Sequence, residues 1–174
     1  MRLVDSGDVA FPGTDVGRVA DATISHETVH DVYGDDSDVG PWSRRGVRRV
    51  RLTVARPAGL DGIIRSSQPE QDQLRATLKQ WIARDERSSG GPFEVHGSVR
   101  LHVLGAELIK IRPRTSVVPS EDKCGARMRT TIELHAVFPP PLAGIVENIM
   151  AAQATHEVAR FNDAVRRNVQ RSPG

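Results

Sequence analysis

One stretch limits what this chain can fold into more than any other. From Ala126 to Phe138 apolar and polar residues alternate, Pro139-Pro140-Pro141 stop the run, and a thirty-residue amphipathic segment follows. On the strand this predicts, Met128, Ile132, Leu134, Ala136 and Phe138 share one face, and Arg127, Arg129, Glu133 and His135 share the other. On the helix, Val146, Met150, Ala154, Val158, Phe161, Val165 and Val169 form an i, i+3/i+4 stripe. Its front half carries a second apolar stripe, Leu142, Ile145, Ile149 and Ala152, so deeper burial is expected there. A half-buried strand feeding a long terminal helix suits an α+β fold in which a curved antiparallel β-sheet wraps a C-terminal α-helix. The space between them can hold an apolar ligand.

The rest of the chain reads as a meander. Ser25 is a good N-cap for a short helix ending at Gly34, after a short strand around Ala20–Ile24. Strands are expected over Val47–Ala55, Phe93–Leu104 and Glu107–Val118, while 71–84 fits either a helix stripe (Leu74, Leu78, Trp81, Ile82) or a strand (Leu74, Ala76, Leu78, Ile82), and the surrounding meander favours the strand. Pro57 and Gly59 close the first, Ser88-Ser89-Gly90-Gly91-Pro92 make a turn, and Gly105-Ala106 reverse the chain. Residues 1–20 show no sustained period and read as an acidic leader or linker, which leaves 21–170 as one ligand-binding domain.

Composition narrows the function. No apolar run reaches a membrane span, and Met1-Arg2-Leu3-Val4-Asp5 does not open a signal peptide, so a cytoplasmic setting is expected. A single cysteine, Cys124, excludes an internal disulfide and a cysteine-rich zinc site. Residues 1–40 hold nine acids and two arginines, whereas the remainder is strongly basic. Arg49 and Arg51 share a strand face that Arg100, Arg112, Arg127 and Arg129 extend. That face could touch an anionic membrane. A solvated face balanced by Glu133 and the acidic N-terminal segment explains it more simply. No aromatics interleave these arginines, so no nucleic-acid partner is expected.

His26-Glu27-Thr28-Val29-His30 is a literal H-E-x-x-H, which on a helix sets two imidazoles one turn apart for zinc and a glutamate for its water. Its surroundings argue against a zinc hydrolase. The longer motif would need Gly at 33 and His at 36, where Tyr33 and Asp36 stand, and Asp35, Asp36 and Asp38 lie on a loop. An exposed helix face accounts for the histidines. No G-x-S-x-G, P-loop or G-x-G-x-x-G occurs, and no metal, cofactor or catalytic residue is assigned.

The order of landmarks resembles a family. Ser25-His26-Glu27-Thr28-Val29 with Val32-Tyr33-Gly34-Asp35-Asp36 looks like a first helix and its acidic exit. Trp42 followed by Arg48 or Arg49 and Val50-Arg51-Leu52 is similar to a Trp-spacer-Arg strand. Gly91-Pro92-Phe93-Glu94-Val95 and Phe138-Pro139-Pro140-Pro141-Leu142-Ala143-Gly144-Ile145-Val146-Glu147 match the opening of the middle strands and of the gripping helix. Over residues 20–170 these pieces resemble a START-like, helix-grip (SRPBCC-type) domain, and most closely the VASt branch of sterol-transfer proteins. The resemblance implies a hydrophobic small molecule as partner, a sterol or other lipid, bound and carried between membranes. Some relatives on this scaffold are cyclases or hydrolases. The inward-pointing candidates for ligand contact are Met128, Ile132, Leu134, Phe138, Ile145, Ile149 and Ala152, with Trp42 and Phe93 at the cavity mouth.

Overall fold

The computed structural model describes residues 1–55, 73–103 and 106–171. The strand stops expected at Pro57 and Gly59 and the reversal at Gly105 lie outside the described residues. Strand β1 spans Arg2–Pro12, and helices α1 (Val16–Thr23) and α2 (His26–Tyr33) follow it. The chain then runs through β2 (Asp38–Val39), β3 (Val47–Ala55), β4 (Gln73–Asp85), β5 (Phe93–Val103), β6 (Ala106–Pro119) and β7 (Gly125–Ala136). Helix α3, Leu142–Arg171, is last. The strands form one seven-stranded antiparallel sheet in the order β1-β7-β6-β5-β4-β3-β2. From β2 to β7 it is a simple meander. α1 and α2 carry the chain between the two edge strands and lie with α3 on the inner face. The curved sheet gripping a C-terminal helix is thus the architecture expected.

Residues 1–20 correct the sequence reading, because the segment set apart as a leader is β1 and the start of α1. Its period was hidden by a bulge. β1 advances from Asp5 to Asp8 while β7 advances only from Thr131 to Arg129, and Gly7 takes the left-handed conformation (φ 67°) that the extra residue needs. Val4 and Val9, five residues apart, therefore face the core together, which no strict alternation reveals. The short strand expected at Ala20–Ile24 is likewise part of helix α1. Asp15 caps that helix, its carboxylate accepting from the Arg18 N–H at 2.8 Å, and Val16, Val19, Ala20 and Thr23 fall on one buried face. α2 forms as expected, with Ser25 Oγ accepting from Thr28 N–H at 3.1 Å and Gly34 closing it.

Three apolar clusters fill the space under the sheet. The first gathers Phe93, Val117, Met128 and Phe11 around α1 and the back of α3. The second joins Ile109, Leu134 and Ala136 to Val146, Met150 and Val158. The third lies over β3–β5, with Val50, Leu52 and Leu78 packed on Val29 of α2. Where the middle of the sheet faces α2 and α3, the packing is incomplete.

Candidate functional site: a cavity between sheet and helices

On the inner face of the sheet Gly97 lies under the Pro113 and Leu78 side chains: a Cβ on it would lie 2.8 Å from Pro113 Cγ and 2.9 Å from Leu78 Cδ1, so those two side chains fill its place. Next to Gly97 across the strands come Gln80 on one side and Pro113 on the other, and beyond them Arg48 and Ile132. One row further along, Thr115 and Thr130 replace larger apolar residues and hydrogen-bond each other at 3.1 Å. Opposite this stretch of short side chains, α3 presents Ala154. Small residues on both walls leave two adjoining cavities of about 80 Å³ each.

The cavities differ in character. The first is walled by Leu52, Leu78, Val99, Leu101, Ile111 and Leu134 from the strands, with Met150 and Ala154 from α3. The second lies closer to α2 and includes Thr23, Thr28, Gln80, Thr115 and Thr130. Tyr33, Leu78, Pro113, Ile132 and Glu157 border both, so the two are halves of one space with an apolar and a more polar end.

Two titratable groups border this space. Burial pushes the Glu157 carboxyl above its ordinary range, and Gln153, Arg160 and His156 oppose that rise. Burial, and then the nearby Glu157 charge, push the Tyr33 phenol well above its usual value. Just outside the polar end lies Arg48, whose residue is only 2% exposed. Its Nε donates to Gln80 Oε1 at 2.6 Å, its Nη1 donates to the Ile24 carbonyl at 2.8 Å, and its guanidinium stacks 4.5 Å from the Trp42 ring centre. Burial lowers its pKa to about 10.

The nine residues expected to contact a ligand separate clearly. Ile132 and Leu134 line the cavity. Phe93 and Met128 lie fully buried in the cluster under α1. Trp42 packs at the rim of that cluster, over Arg48. Phe138 and Ile149 are half-buried against the second cluster. Ile145 is 50% exposed and Ala152 is exposed, so neither is among the cavity walls. The front of α3 had two apolar stripes, and the stripe continuous with the buried back half faces the sheet. That continuity was the available signal for Met150 and Ala154. Glu157 was also legible, since it stands three residues after Ala154 and four before Phe161, on the same stripe. Gln80 and Tyr33 had no such signal, because their roles depend on which strands and helices adjoin.

Of the H-E-x-x-H residues on α2, Thr28 and Val29 border the second cavity, whereas His26, Glu27 and His30 do not. His26 and Glu27 are exposed. His30 Nδ1 lies 3.0 Å from Ser37 Oγ and 3.3 Å from the Gly34 carbonyl, an interaction that ties the helix exit to the following loop. Among the described residues no three His, Cys, Asp or Glu side chains converge as a metal site would require. On the outer sheet face Arg49, Arg51, Arg100, Arg112 and Arg129 are exposed. The acidic N-terminal strand balances part of this charge: Arg129 Nε donates to Asp5 at 3.0 Å, and Arg127 lies 3.7 Å from Asp8. Among the described residues no helix is long and apolar enough to cross a membrane.

Known structures of the same shape are numerous and distant in sequence. Human STARD10 superposes with a TM-score of 0.56 at 5% identity, over 92% of this chain and 62% of that one. Ara h 8.0201 gives 0.53 at 9% identity over 98% and 99% of the two chains. A conserved protein from Geobacillus kaustophilus gives 0.63 at 6% identity over 98% and 97%. No family model matches the sequence, and no curated protein matches it. At these identities the likeness establishes the fold: the chain has the helix-grip fold of START domains and Bet v1-like proteins.

Proposed function

We propose that the protein binds a hydrophobic small molecule between its sheet and α3, shielding it from water. One observation carries this reading. Helix α3, packed across the sheet, leaves a partly enclosed, mainly apolar space between Pro113 and Ile132 on the sheet and Met150 and Ala154 on the helix. A space bordered by Pro113 and Ala154, where larger residues would fill it, suits a binding site better than a packing core.

Size constrains the occupant. The two halves together match a molecule of about benzene size, since an apolar cavity of about 150 Å³ accepts benzene. A sterol or acyl lipid needs several times more, on the order of 300–1,000 Å³. The VASt-like reading of sterol or lipid carriage therefore requires the front half of α3 to part from the sheet on loading. Contact of the arginine-rich outer face with an anionic membrane belongs to that same reading.

Native mass spectrometry of the purified protein, before and after adding a sterol, a fatty acid and toluene in turn, tests the proposal. Wild type should gain an adduct with at least one of them, and a folded Ala154→Trp variant should lose it. An adduct that persists in Ala154→Trp places the ligand elsewhere, and no adduct with any apolar molecule ends the binding reading. An enzyme on the same scaffold is a second reading, and the titratable Glu157 and Tyr33 beside the cavity favour it. It would show as turnover of a bound molecule that Glu157→Gln abolishes while binding persists.

A further inference from the structure

Resting on that binding reading, we infer that the polar end of the cavity recognises a hydroxyl group carried on an apolar body, clamped between Tyr33 and Glu157. The two residues come from different helices, the last turn of α2 and the middle of α3, and both border both halves of the space. Among the described residues the Tyr33 hydroxyl has no hydrogen-bond partner. Glu157 accepts a single long bond, from Gln153 Nε2 at 3.5 Å to Oε1. They make no hydrogen bond to each other, yet the Glu157 charge acts on the Tyr33 phenol. The two groups thus border the same space without bonding each other, beside Leu78, Pro113 and Ile132, and the other polar side chains of that end, Thr23, Thr28, Gln80, Thr115 and Thr130, already hydrogen-bond elsewhere in the protein.

The chemistry of the pair selects what can fill the gap. A phenol donates one hydrogen and a carboxylate oxygen accepts one. A ligand hydroxyl does both at once, its oxygen accepting from Tyr33 and its hydrogen going to Glu157. A pure hydrocarbon would displace whatever solvates the pair and leave two half-buried polar groups unmet, the kind of loss by which hydroxyl-reading sites discriminate. A carboxylate would bring a second negative charge beside Glu157 in a space where burial already disfavours the first. An ammonium could donate to both, but it must lose its own hydration beside a wall whose other polar side chains are already bonded.

Titration of the full-length chain with toluene, phenol, benzoate and benzylammonium, followed by amide chemical shifts, separates these cases. The variants Tyr33→Phe and Glu157→Met keep the side-chain volumes and are checked for folding by their melting curves. In wild type, toluene and phenol should both bind, while benzoate binds weakest. Each variant should weaken phenol by about tenfold, the size of one lost hydrogen bond in an enclosed site, and leave toluene unchanged. Toluene binding with phenol insensitive to both variants would overturn the hydroxyl clamp and leave the binding reading intact. Benzoate or benzylammonium binding tightest would also overturn it, assigning the site to an acid or an amine. If all four fail to bind the folded chain, the clamp and the small apolar ligand fall together.

Discussion

The two halves of α3 lie on the same sheet under opposite conditions. The back half, with Val165 and Val169, is sealed by α1 from one side and by Phe93, Val117 and Met128 from the other. The front half, with Met150 and Ala154, looks onto Leu78, Pro113 and Ile132 across empty space. Curvature alone therefore does not make the cavity, because one curved sheet produces both a filled end and an open one. Side-chain size on facing walls decides which end is which.

The sharpest way to break this comparison is to truncate one large residue in each region. Phe93 is fully buried among fixed neighbours, so Phe93→Ala should destabilise by about 3–5 kcal/mol. Leu78 already borders the void, so part of its packing is absent before any mutation. Leu78→Ala should fall at the low end of core truncations, about 2 kcal/mol. Urea unfolding of both variants checks the order, and equal losses would mean that the void closes in solution.

Arg48 stands where the filled and open regions meet, and its Nη2 is buried without a hydrogen-bond partner. Removing it relieves the burial of a charge but strands Gln80 Oε1 and the Ile24 carbonyl and uncovers Trp42. The net effect expected of Arg48→Ala is a loss of about 1–2 kcal/mol, with a red shift in Trp42 emission as water reaches the ring. A gain in stability would show that the guanidinium serves the cavity more than the fold.

Enlarging alanines tests the same contrast from the other direction. Ala164 has no exposed surface, and Ala164→Leu should cost about 1–3 kcal/mol through overpacking. Ala154→Leu adds the same atoms into vacant space and should leave stability within about 1 kcal/mol of wild type while reducing ligand uptake. Melting curves paired with toluene titration separate the two outcomes. If both alanines respond alike, the front and back of α3 are not different environments.

Legibility in the sequence followed the same division. The meander, the α2 caps at Ser25 and Gly34, the β7 alternation and the helix after the three prolines are local signals, and the structure matches them. β1 was lost to a single bulge, and α1 to a window too short to separate a helix from a strand. The site was harder to read because lining a cavity is a property of pairs. Phe93 and Met128 point inward as expected, but toward α1, whose position no periodicity encodes. Pro113 looks like a flaw within a strand, and only the register that sets it beside Ile132, with α3 across from both, makes it a cavity wall.

The smallest expected effect concerns pH and separates the open region from the filled one by charge. Facing Glu157 are Tyr33 from α2, Arg160, His156 and Gln153 on its own helix, and from the sheet, among the described residues, untitratable ones such as Leu78, Pro113 and Ile132. Its folded-state pKa is raised, chiefly by burial, above the ordinary 4.5. A carboxyl of this kind does not weaken the fold while it is protonated in both states. The destabilisation begins as pH rises past the unfolded value and is complete once pH has passed the raised folded value. Glu157→Gln removes the titration and keeps the shape. The stability difference between Glu157→Gln and wild type should therefore be smallest near about pH 4 and grow in the variant's favour toward about pH 8. Urea midpoints measured across that range give the curve directly. Saturation with phenol should shrink the difference at the upper end, because a hydroxyl donating to the ionised carboxylate offsets its lost hydration. No such change should follow saturation with toluene. A difference that stays flat with pH would mean that water reaches Glu157 freely, and the front half of α3 would then be as open to solvent as the outer face of the sheet.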